Sequence, residues 1–185
     1  AVIAGLLLIA GGVFYLYLTM TTVEEDAAVW ARALEIVYSA VSVACGLCMI
    51  ALAKAQGSQM TSQSAMLTLV PLLWSCLHLL VNYRMTCVDP KLASFAFGLV
   101  ADVMIVLAFY HFARLLYGKP RPAALAFFSA TAATMAVSDM GGIALSWLMG
   151  VGTLDWSAKM LMRGGLSVAA CVMLVAGLAL LRSST

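Results

Sequence analysis

Charge is what this sequence has least of: ten Lys and Arg with eight Asp and Glu make 10% of its 185 residues, against 64% hydrophobic residues. A soluble domain is about a quarter charged and about half apolar. A soluble fold is therefore excluded, and the mean hydropathy of +1.05 marks an integral membrane protein. Alternation of period two, the mark of transmembrane barrel strands, is missing from the apolar runs, so the spans are helices. A basic cluster interleaved with aromatics is missing too, and the net charge is only +2, which excludes a nucleic-acid partner.

Motifs are equally scarce. The two histidines, His78 and His111, stand in different apolar runs, and no HxxxH, HExxH or pair of CxxC pairs occurs, so no metal site is expected. GxSxG, P-loop and dinucleotide fingerprints are absent, and no cofactor is expected. The five cysteines are an odd number, which argues against a disulfide framework. Cys45 and Cys48 have redox spacing but lie deep in an apolar run, where a low dielectric opposes the thiolate. They read as small hydrophobes. An intramembrane thiol oxidoreductase, drawing on Cys87 in an outer loop, ranks third among the functional readings, and no catalytic residue is assigned.

What is present is a series of six apolar runs, approximately 2–20, 27–54, 63–83, 92–117, 122–149 and 158–182, each long enough to cross about 30 Å of hydrocarbon as a helix. They predict an all-α integral membrane protein, one compact six-helix bundle occupying residues 1–185 as a single domain. Ala1 already lies inside an apolar run, which predicts an initiator methionine and a short leader upstream. That first run, without a basic flank or a clear cleavage site, reads as a retained helix. Alternating the ends puts Lys54, Arg114, Lys119, Arg121 and Arg182 on one side with no acid, and Arg84, Lys91 and Lys159 together with Glu24, Glu25, Asp26, Asp89 and Asp155 on the other. Because Lys and Arg favour the cytoplasm, both termini are expected there. Trp30, Tyr83 and Trp156 then fall at the outer interface, and Tyr110 and Tyr117 at the inner one. Pro71 predicts a kink in the third span, and Lys119-Pro120-Arg121-Pro122 a rigid inner turn.

The informative residues are the polar ones inside these runs. In the fifth, Ala126, Ala130, Thr134, Ser138, Gly142 and Ser146 recur every four residues, a small-residue seam that lets another helix approach closely. The fifth helix is therefore expected to be central, and Ala130, Thr134, Ser138 and Gly142 to be a possible contact face for a membrane-protein partner. Asp139 lies beside the seam, followed by Gly141 and Gly142. An ionised aspartate at a helix centre costs about 3 kcal/mol on insertion scales, so it must face protein or water, and the glycines predict a local kink lining a cavity. Asp102 occupies the middle of the fourth run. Arg32 and Glu35 lie one turn apart in the second and are able to pair, with Ser39, Ser42 and Gly46 continuing their stripe. His78 and Asn82 lie in the outer part of the third run, and Arg163 in the outer part of the sixth.

Intramembrane ionisable groups are by default a functional-site hypothesis, and these fall from mid-membrane to the outer face. The expected ligand-binding set is Asp139, Asp102, Glu35, Arg32, His78, Asn82, Arg163 and Ser138, lining an outward-facing pocket. Its mixed signs suit a small polar or zwitterionic ligand. The alternative is an accessory or assembly subunit in which the same groups only lock helices together: Arg32 on Glu35, Arg163 on Asp102 or Asp139, His78 on a backbone carbonyl.

In size, six-helix organisation, cytoplasmic termini and outer-half polar residues, the chain resembles the substrate-binding S-components of energy-coupling-factor vitamin transporters. The resemblance covers the whole chain at the level of architecture. Members of that family often carry alanines spaced by four in the first helix for docking to the energising partner, and Ala1-x-x-x-Gly5 is the counterpart here. The resemblance implies a vitamin-like or other small polar ligand and an ATP-driven partner complex. The expected location is the plasma membrane of a bacterium.

Overall fold

The computed structural model describes residues 2–21, 29–55, 66–86, 92–118, 121–149, 163–172 and 174–175. Among these the chain is all-helical, without a strand: α1 (Val2–Thr21), α2 (Val29–Ala55), α3 (Leu69–Thr86), α4 (Leu92–Leu116), α5 (Pro122–Met149) and α6 (Arg163–Val172). Four of them, α1, α2, α4 and α5, are long and apolar enough to cross a membrane, and the chain is a multi-pass membrane protein. The helix α3 falls short on apolarity because His78, Asn82 and Arg84 interrupt it. The surface fits that setting: Ile3, Phe97, Phe127 and Leu148 are exposed, while His78, Asp102 and Arg163 are buried.

Sequential helices pack pairwise, α1 on α2, α2 on α3, α3 on α4 and α4 on α5. The closest approach is between α1 and α2. A Cβ on Gly46 would lie 2.6 Å from the Gly5 carbonyl oxygen, and one on Gly12 would lie 3.0 Å from the Ser42 Cβ. Only the absence of a side chain permits that separation. Gly5, the counterpart of a docking motif in the sequence, is thus buried against Gly46 and Ile50 of its own chain.

The fifth helix is not central. Ala126, Ala130, Thr134, Ser138 and Gly142 are exposed, and α5 instead turns Leu125, Ser129, Ala132 and Ala136 inward. Apart from Leu125 the buried stripe is also made of small residues, on roughly the opposite face of the helix from the expected one, so small size alone could not choose between the two faces. The Ser146 side chain lies outside the described residues. Gly141 and Gly142 do not break the helix, and a Cβ at either would meet nothing within 4 Å.

Pro71 sits in the first turn of α3. Met66 is helical and Leu67 and Thr68 form a turn before α3 begins at Leu69, so the helical run is interrupted three to four residues before the proline, where its ring and missing N–H disfavour a continuous helix. Between α4 and α5, Gly118, at φ +72°, follows the end of α4, and Pro122 is the first residue of α5, whose first backbone bond runs from Leu125 N–H to the Arg121 carbonyl; Lys119 and Pro120, the first half of the expected rigid turn, lie outside the described residues.

Candidate functional site

Tyr38 of α2, His78 and Asn82 of α3, and Asp102 of α4 come to one level. Each lies four to ten residues from the same end of its helix, so Tyr38, His78 and Asp102 stand roughly 12–15 Å inside it. The helix α6 adds Arg163 and, one turn on, Ser167. Adjacent turns on each helix face the same way, which is why i and i+4 pairs such as His78 with Asn82 and Arg163 with Ser167 enter together.

Their side chains form one hydrogen-bonded cluster. The Tyr38 hydroxyl is 2.6 Å from His78 Nδ1. His78 Nε2 is 2.7 Å from Ser167 Oγ and 3.3 Å from Asp102 Oδ1. Ser167 Oγ donates to Asp102 Oδ1 at 3.3 Å, and Asn82 Nδ2 donates to Asp102 Oδ2. Arg163 Nη1 donates to Asn82 Oδ1 at 3.0 Å. We assign the neutral imidazole proton to Nε2, so that Tyr38 O–H donates to Nδ1 while Nε2–H faces the carboxylate and Ser167. Burial is nearly complete: His78 is 0% exposed and Asp102 2%.

Aromatic residues wall the cluster. Trp74 stacks on His78 with centroids 5.0 Å apart, and its indole N–H donates to Ser42 Oγ at 2.8 Å. Tyr15 of α1 meets Tyr38 edge-on at 5.3 Å. Rings fixed in this way hold the imidazole plane.

The expected residues separate into four groups. His78, Asn82, Asp102 and Arg163 converge. Glu35 is buried but turned toward α1, where Thr19 Oγ1 donates to its Oε2 at 3.3 Å. Asp139 lies over α4, its Oδ2 3.1 Å from where a Gly98 Cβ would stand, one turn along α4 from Asp102. Arg32 and Ser138 are exposed and point away from the cluster's buried interior. His78 engages side chains of three other helices, and the Asn82 amide links Arg163 to Asp102.

Tyr38, Trp74 and Ser167 belong to the site although the sequence reading passed over them. Trp74 is one turn from His78, Ser167 one turn from Arg163, and Tyr38 one turn from both Glu35 and Ser42. Searching i±3 and i±4 around each intramembrane ionisable residue would have found all three.

Cys45, Cys48, Cys76 and Cys171 are free thiols, with Cys45 buried on α2. Cys87, the possible redox partner of the Cys45 and Cys48 pair, lies outside the described residues. Among the described residues no group of His, Cys, Asp and Glu could hold a metal ion. Scanning family models, curated proteins and solved structures returns no match to this chain.

Proposed function

We propose that this chain is a membrane transport protein whose His78, Asn82, Asp102 and Arg163 form a binding centre for a small polar or zwitterionic solute. The observation that carries the reading is the position of the Asn82 amide. Its carbonyl oxygen accepts from the Arg163 guanidinium and its NH2 donates to the Asp102 carboxylate. A zwitterion would present the same pattern, with its carboxylate to Arg163 and its ammonium to Asp102. His78, Ser167 and Tyr38 are placed to hold the carboxylate of Asp102 in position.

Magnitudes support a role beyond packing. An ionised residue at a helix centre costs about 3 kcal/mol on insertion, whereas an intramembrane hydrogen bond returns on average about 0.6 kcal/mol. Apolar side chains would hold these helices at lower cost. The rival reading, an accessory subunit, draws on the same bonds: the polar groups engage one another directly.

In the full proposal α3 and α6 also cross, giving six spans with both termini in the cytoplasm of a bacterium and the centre nearer the outer face. A membrane-protein partner would meet Ala130, Thr134, Ser138 and Gly142, which α5 leaves exposed. Uptake of labelled amino acids and vitamins by cells overproducing the chain tests the function. Accumulation above vector-only cells that is lost in Asp102→Asn supports it, and no accumulation of any compound returns the chain to the accessory reading.

A further inference from the structure

We propose, resting on the binding centre above, that its solute is a basic amino acid such as lysine or ornithine, and that Asp139 recognises the side-chain ammonium. The sequence singles Asp139 out, yet the hydrogen-bonded cluster leaves it over. It is half-buried on α5, its Oδ2 is 3.1 Å from where a Gly98 Cβ would stand, and the charge it feels is that of Asp102. None of the described cations meets it: Arg163 donates to Asn82, Arg84 lies on the Trp30 ring and donates to the Ala31 carbonyl, and Arg32 is exposed on α2.

The charges around the centre do not balance without an outside cation. Among the described residues there, the Arg163 guanidinium is set against the carboxylates of Asp102 and Asp139, with the imidazole of His78 neutral. Glu35, a further buried acid, is turned to α1, where Thr19 donates to it. One cation offsets one carboxylate, and a second ionised acid in a transmembrane helix needs an opposite charge or water of its own. A zwitterion has no net charge and leaves that imbalance as it was. A solute with one carboxylate and two ammonium groups carries a single positive charge and removes it.

Each group of such a solute has a place. The Asn82 amide, between Arg163 and Asp102, holds the positions of an α-carboxylate and an α-ammonium. Gly98 is one turn along α4 from Asp102, so the Asp139 carboxylate lying over it stands about a helical turn away, on the order of 5–6 Å. The stem of a lysine or ornithine side chain spans an interval of that size. Glycine at position 98 keeps the space for the carboxylate, since a Cβ there would press on Oδ2. Two acids alone would make no site; the buried guanidinium and the amide standing in for a ligand define this one.

The full chain, purified in mild detergent, is titrated with L-lysine, L-ornithine and L-norleucine, and Kd is read from the dependence of Tm on concentration. Norleucine has the carbon stem of lysine without the terminal ammonium. Lysine or ornithine is expected to bind at least about tenfold more tightly than norleucine, the effect of one charge-assisted contact. In Asp139→Asn that advantage is expected to disappear. Equal affinity of the wild type for lysine and norleucine overturns the proposal, and so does a preference for lysine that survives in Asp139→Asn. The wild-type comparison decides by itself should the variant not purify. Failure of both basic amino acids to bind also overturns it: if another zwitterion binds in the same assay, the centre stands without the Asp139 contact, and if none binds, the centre falls as well.

Discussion

His78 Nε2 stands 3.3 Å from Asp102 Oδ1 across the α3–α4 contact, with both side chains shielded. The carboxylate is the common acceptor of the cluster, taking Asn82 and Ser167 as well. Asp102→Ala leaves these donors without it, and each buried polar group stranded in this way costs about 1–3 kcal/mol. Thermal unfolding in detergent should show a large fall in Tm for Asp102→Ala. Asp102→Asn keeps the shape and one acceptor oxygen and should fall less.

The two glycine environments predict opposite outcomes for the same substitution. Gly46→Ala drives a methyl to 2.6 Å from the Gly5 carbonyl oxygen, which forces α1 from α2 and lowers Tm. Gly142→Ala meets nothing within 4 Å and gains up to about 1 kcal/mol of helix propensity by the aqueous scale, so Tm should hold or rise. Unfolding curves of the two variants side by side check the assignment of the packing seam.

Ser129 is fully buried on α5, and its hydroxyl has no hydrogen-bond partner. Removing a buried polar group that makes no bond relieves a desolvation cost. Ser129→Ala should be neutral or stabilising by up to about 1 kcal/mol, read as an unchanged or higher Tm. A clear drop would mean that the hydroxyl is bonded to something the helices themselves do not supply.

Strongly polar residues in apolar helices are conspicuous, so His78, Asn82, Asp102 and Arg163, whose side chains converge in the structure, stand out in the sequence. Tyr38, Trp74 and Ser167 were hidden because hydroxyls and aromatic rings occur throughout membrane helices, and only their spacing from the ionisable residues singles them out. The helix α5 shows what periodicity withholds. It carries two stripes rich in small residues, Ala126 to Gly142 and Ser129 to Ala136, that are alike in composition, and which one turns inward depends on the neighbour, α4. Arg32 and Glu35 make the same point: one turn apart and complementary in charge, yet Arg32 is exposed and Glu35 is bonded from α1.

The most direct test of the binding centre is a thermal-shift screen of the detergent-purified full chain against amino acids and vitamins, run in parallel on Asp102→Asn. A ligand present at a hundredfold its Kd stabilises by about 2.7 kcal/mol, a readily measured rise in Tm. The account predicts that at least one zwitterionic compound raises the Tm of the wild type and fails to raise that of Asp102→Asn. It is contradicted if no compound shifts the wild type, or if a compound shifts both proteins equally.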